Sequence, residues 1–247
     1  MMIDFTHESY LDLLTYVQDL GYGVVPFRDL PPVGAGTFRQ SGPYVILRHD
    51  IDFSISKALE MAALDRKAGV HSTFFVLLTA PYYNALSEQS LAGLQEITAM
   101  GHEMGLHYDC TGFDRLTPAT QKQRVDRLVA CLEDHLGIHV TSISQHKPTE
   151  SNVKPEIPGY VDAYSRPFFK EIAYVSDSRM MFRLPDLRAF FEDHPRSQAL
   201  IHPIWWHAQK KTRSEVFDYI KSQLGTSLDA MLDAEHRGIV DFLNGQA

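Results

Sequence analysis

The chain has 247 residues, 31 Asp and Glu against 23 Lys and Arg, and a formal net charge of −8. An apolar share of 44% excludes disorder as the main state, and the acidic balance excludes nucleic acid or an anionic membrane surface as the main partner. Two cysteines, Cys110 and Cys131, exclude a disulfide framework and lack zinc-knuckle spacing. The longest apolar stretches, around 74–78 and 200–206, fall far short of the ~20 residues that span a bilayer. The first residues, Met1-Met2-Ile3-Asp4-Phe5, have no basic or apolar leader segment, so a cytoplasmic location is expected. The length suits a single domain over 1–247 with a helical N-terminal extension over 1–43.

Residues 10–20 place Leu11, Leu13, Leu14, Val17 and Leu20 near helical spacing, stopped by Gly21. Residues 28–43 carry Pro31, Pro32, Gly34, Gly36, Gly42 and Pro43 and read as an irregular connection. The run Tyr44-Val45-Ile46-Leu47 is apolar on both faces, the mark of a buried parallel strand, and ends in Arg48-His49-Asp50-Ile51-Asp52. Ser54 caps an expected helix to residue 68, followed by a strand over 72–78, a helix over 86–100 and a strand over 103–107. A helix over 117–137 follows, then strands over 140–144, 172–175 and 199–201, and a last helix from 212 that breaks at Gly225. Alternating strands and helices define a parallel sheet with crossover helices.

Five apolar runs end in ionisable residues: Asp50 and Asp52, His107, His146, Asp177 and His202. Strand ends in a parallel sheet open on one face, so residues about 150 positions apart are expected to converge there. Asp50 and Asp52 stand two apart on a strand, so both carboxylates face one side; such a pair suits a cation, or a general base beside a metal ligand. The plainer role for Asp52 is to cap the next helix. His107 offers a neutral imidazole at its strand end. Arg48, His49, His102 and Glu103 read as structural. Trp205 and Trp206 follow the His202 strand end, where an aromatic ring can stack on a sugar; core packing is the competing role.

These segments resemble the polysaccharide deacetylase superfamily (NodB homology, carbohydrate esterase family four). The resemblance runs from about 44 to 206. Its carriers are Leu47-Arg48-His49-Asp50-Ile51-Asp52, His71-Ser72-Thr73-Phe74-Phe75-Val76, the segment from Gly101 to His107, His146-Lys147-Pro148, Tyr174-Val175-Ser176-Asp177 and Leu200-Ile201-His202. The Arg-His-Asp-x-Asp start is similar to a divergent bacterial branch linked to surface-polysaccharide clusters such as those for lipopolysaccharide O-antigen. The resemblance implies a distorted, incomplete (β/α) barrel of about seven strands, and metal-dependent hydrolysis of an N-acetyl group on a carbohydrate. It implies Asp50 as base, Asp52 and His107 as metal ligands, His202 as acid oriented by Asp177, and a backbone N–H near Thr149 for the oxyanion. Zinc is expected, because imidazole ligands favour it over magnesium.

Three positions depart from the family pattern. Thr111 stands where a second metal-binding His is expected, so the third ligand is His146, which ends another strand, or Asp109. Ile51 separates the two aspartates, which leaves their roles exchangeable. The family's arginine beside the base is replaced. A haloacid-dehalogenase-type phosphatase needs a later Lys and a paired-Asp strand end, where His146 and His202 stand instead. A nucleotide-sugar glycosyltransferase needs a nucleotide-binding unit before Asp50, which only one helix and a Pro/Gly loop precede. A barrel without metal that binds a glycan or scaffolds a pathway is the remaining alternative.

Overall fold

The computed structural model describes residues 3–30, 42–148 and 154–245. Eight strands make one parallel sheet: β1 (Gly23–Val25), β2 (Tyr44–Ile51), β3 (Thr73–Leu77), β4 (Glu103–Tyr108), β5 (Ser142–Gln145), β6 (Val161–Asp162), β7 (Ala173–Ser176) and β8 (Arg196–Ile201). Their order is β6-β5-β4-β3-β2-β8-β7, with β1 alongside the start of β2. The sheet curls into a half-barrel flanked by helices, a distorted and incomplete (β/α) barrel in which β6 and β7 stay unpaired to each other. Helices α1 (His7–Asp19), α2 (Ile55–Lys67), α3 (Glu88–Ala99) and α4 (Pro118–Leu136) supply long connections, and α5 (Arg166–Phe169) and α6 (Leu187–Asp193) short ones. Thr6, Ser54, Ser87 and Thr117 each start a helix by accepting the N–H three residues on, and Gly137 closes α4 at a φ of +64°.

β2 is buried along its whole length, and its alternation builds the interior. Tyr44 and Ile46 pack with Val25, Phe27, Leu30, Phe75, Val161, Ala163 and Phe168. On β4, Glu103, Gly105 and His107 share a face. Glu103 plugs the lower end: its carboxylate accepts from Arg28 N (2.7 Å), Thr73 Oγ1 (2.6 Å), Ser142 Oγ (2.6 Å) and Thr141 Oγ1 (3.3 Å). Burial pushes its pKa up, although those hydrogen bonds pull it down. Gly105 leaves room for the Phe75 ring; a Cβ there would stand 2.5 Å from Phe75 Cε1 and 2.8 Å from Ser142 Oγ. Gln198 of β8 reaches across the interior and donates to the carbonyls of Ala163 and Phe168.

The described residues from 211 onward form a compact unit of their own. It holds α7 (Arg213–Gly245), which Thr212 and Glu215 open with a reciprocal cap: Glu215 N donates to Thr212 Oγ1 at 3.3 Å and Thr212 N to Glu215 Oε2 at 2.6 Å. The expected break at Gly225 does not occur, because a helix tolerates an interior glycine at a cost of about 1 kcal/mol. Strand boundaries also differ from expectation, most of all at β8, which starts at Arg196 and not at 199. β2 continues through His49, Asp50 and Ile51, held by pairing to β3, and β5 starts at Ser142, not at 140.

Candidate active site

Four strand ends meet on one face. Asp52 follows β2, His107 belongs to β4, His146 follows β5 and His202 follows β8. His107 Nε2 lies 3.1 Å from His146 Nδ1 and 3.3 Å from Asp52 Oδ1, and His146 Nδ1 lies 3.2 Å from the same oxygen. His107 Nδ1 donates to the Ser144 carbonyl at 2.8 Å, so the adjoining strand fixes the ring and turns its lone pair at Nε2 inward. Asp52 caps nothing; Ser54 caps α2. Its Oδ1 is buried and accepts no well-aligned hydrogen bond. Burial works to raise its pKa, but the hydrogen-bonding and charge influence of His107, His146 and His202 outweighs burial and holds the carboxyl well below the usual range.

Asp52, His107 and His146 therefore aim three electron-rich atoms at one point, a set that fits a divalent cation. Their separations of 3.1–3.3 Å match the edge of a tetrahedron, about 3.3 Å, around an ion with ligands at about 2.0–2.1 Å. Asp109 lies outside this group: it is exposed, and its Oδ1 accepts from Thr111 N (2.7 Å) and Thr111 Oγ1 (2.6 Å).

Asp50 sits one layer deeper. Its Oδ2 is 3.4 Å from an Arg48 Nη and 3.8 Å from His107 Nε2, while Oδ1 is buried without a hydrogen-bond partner among the described residues. Arg48 is fully buried, donates to Tyr164 Oη at 2.7 Å and stacks its guanidinium 4.5 Å over the Tyr164 ring. Burial works against the Arg48 cation, and the charge of Asp50 more than restores it. The sequence marks Arg48 as a structural residue that pairs with an acid; that acid is Asp50. Tyr164 gave no signal. His49 points the other way, stacked on Phe74 at 4.3 Å with Nε2 2.9 Å from Asp65.

His202 completes the site. Its Nδ1 donates to Asp177 Oδ1 at 2.6 Å, and Nε2 faces Asp52 Oδ2 at 3.8 Å. Asp177 is held in turn by the backbone N–H of His202, 3.0 Å from each oxygen, and by Trp206 Nε1 at 2.9 Å. Burial opposes a charge on His202, but the Asp177 carboxylate prevails and raises the pKa to about 9.

The expectation that Trp205 and Trp206 stack on a substrate is corrected. Trp206 is 0% exposed, packed against Tyr10 and Phe5, with its N–H on Asp177. Trp205 is 5% exposed and leans on Phe53. Neither ring has an open face. Thr149 lies outside the described residues.

No protein-family model matches the sequence, and no curated protein does. Solved structures similar to it include the catalytic domain of a peptidoglycan N-acetylglucosamine deacetylase from Eubacterium rectale, at 14% identity over 76% of this chain and 89% of that one, with a TM-score of 0.47. Another is a family 4 acetyl xylan esterase from Clostridium thermocellum in complex with a cobalt ion, at 16% identity over 74% and 84%, TM-score 0.41. A third is a CE4 family pseudoenzyme from Bacillus anthracis, at 14% identity over 81% and 66%, TM-score 0.45. Likeness at this level assigns no activity to the chain, and the functional reading rests on its own residues.

Proposed function

We propose that this chain is a metal-dependent hydrolase that removes the N-acetyl group from an acetamido sugar. The observation that supports it is the meeting of two carboxylates and three imidazoles at four strand ends. Asp52, His107 and His146 hold the metal, zinc by the choice of ligands. Zinc supplies Lewis acidity toward the amide carbonyl and brings a water's pKa from 15.7 to ~7. Asp50 is the base: it is the carboxylate beside Arg48, and its Oδ1 is unclaimed by hydrogen bonds and open to a proton. His202, protonated at neutral pH and oriented by Asp177, gives a proton from Nε2 to the leaving amine. The Arg-His-Asp-x-Asp start supports a bacterial surface polysaccharide, such as O-antigen, as the source of the sugar.

A glycan-binding or scaffold role without hydrolysis is the second reading, favoured by Thr111 in place of a family ligand. Acetate release from a broad panel of N-acetylated sugars, measured on zinc-loaded protein of verified metal content, separates the two. Release that Asp50→Asn slows by roughly 10²-fold or more supports hydrolysis. Zinc-loaded protein that releases no acetate from any of them overturns it.

A further inference from the structure

The two tryptophans are sealed in, yet the same face carries an aromatic ledge built from different residues. Tyr82 is 39% exposed and stacks on Phe53, with centroids 4.7 Å apart and ring planes 28° from parallel. Phe53 directly follows Asp52 and leans in turn on Trp205 at 6.2 Å. The ledge thus rests on rings from the loops after β2, β3 and β8.

Its position is fixed by the next residue. Tyr83 Oη donates to the Ile51 carbonyl at 2.6 Å and accepts from Leu77 N at 3.2 Å, pinning the loop to the last residues of β2 and β3. Tyr83 lies close enough to Asp52 for that carboxylate to add to the burial that raises its hydroxyl pKa. Tyr82, one residue before it, is turned outward to the rim. A rigid, half-open ring beside a site that handles a sugar matches the C–H face of a pyranose.

We propose that Tyr82, backed by Phe53, is a carbohydrate subsite that holds the pyranose next to the one being deacetylated, so that the protein prefers an oligosaccharide to a single sugar. This rests on the hydrolase reading above. The ring on the ledge does no chemistry; it adds binding that is the same before and during reaction, which lowers KM and leaves kcat alone.

The test uses the full-length, zinc-loaded chain with monomers and tetramers of N-acetylglucosamine and of N-acetylgalactosamine as probes. Acetate release is followed for wild type, Tyr82→Ala and Tyr82→Phe. The expected result is a tetramer KM below the monomer KM in wild type, a rise of roughly 5- to 10-fold in the tetramer KM in Tyr82→Ala at unchanged kcat, and a KM near wild type in Tyr82→Phe. Equal KM values for monomer and tetramer in wild type, or a tetramer preference that survives Tyr82→Ala, overturn the subsite. Should wild type release no acetate from these probes, calorimetric titration with the same tetramers decides: binding weakened by Tyr82→Ala keeps the subsite without the hydrolase, and tetramers that bind neither protein overturn the subsite too.

Discussion

Three imidazoles stand within a few ångströms of two aspartates, and small differences in partner assign each a different task. His107 has its Nδ1–H on a backbone carbonyl, and its Nε2 and His146 Nδ1 both face Asp52 Oδ1, so with an ion between them both rings would offer lone pairs. His202 has its Nδ1–H on a carboxylate and carries a charge. Asp52→Ala, His107→Ala and His146→Ala each remove one of three donors; zinc affinity measured by competitive titration should fall by orders of magnitude in each, since catalytic zinc keeps three protein ligands. His146→Ala is the decisive member. Unchanged affinity with reduced activity would make His146 a residue that only orients its neighbours.

His202 also sets a pH dependence. Its folded pKa of about 9 lies above the usual value of about 6.5, so the stabilisation from its ion pair is fully present below about pH 6.5 and is lost as pH rises through about 9. The metal-free protein should melt at a lower temperature at pH 9.5 than at pH 7. Asp177→Asn should reduce that difference, and in the loaded enzyme it should move the high-pH fall in rate toward neutrality. A melting temperature indifferent to pH over this range would contradict the assignment.

At the scale of elements, the strand ends do the positioning, and the register that aligns them depends on one missing side chain. Gly105 faces the Phe75 ring where β3 and β4 pair. In Gly105→Ala the new Cβ meets both that ring and Ser142 Oγ, and neither can withdraw from the packed interior. The variant should lose about 1–3 kcal/mol in denaturant melts, with the β4 end carrying His107 displaced and zinc bound more weakly. The same substitution at Gly69, where nothing lies within 4 Å, meets no neighbour and strains only the backbone at its φ of +71°.

How far these elements could be read in advance depended on length and period. β2 and β4 announce themselves as apolar runs closed by ionisable residues, β3 as a bare apolar run, and α2, α3 and α4 by Ser or Thr caps and terminal glycines. β1 and β6 have three and two residues, too few for any periodicity, and α5 and α6 are about one and two turns. The site was legible to the same degree. Asp52, His107, His146 and His202 stand at strand ends in the sequence, and the fold brings them together. The partnership of Arg48 with Tyr164 was hidden because Tyr164 follows the unseen β6. The two tryptophans misled because adjacency to a strand end says where a residue sits along the chain, not whether its ring faces out.

Across the whole molecule, the half-barrel is joined by side chains where its ladder stops. Gln198 bonds from β8 to the carbonyls of Ala163 and Phe168, Arg48 bonds from β2 to Tyr164, and Phe168 fills the core against Tyr44 and Ile46. The central strand, β2, takes β3 on one side and β8 on the other, so one neighbour follows after about 20 residues and the second after about 145.

That strand order has a consequence during synthesis. Asp52, His107 and His146 stand at the ends of β2, β4 and β5, near neighbours in chain and sheet alike. A growing chain emerges N-terminus first at about 5–20 residues per second. These three are therefore out of the ribosome several seconds before His202, whose strand must then slot in beside β2. On the proposed function, the residues that would hold an ion are therefore synthesised first and the residue that would donate the proton last.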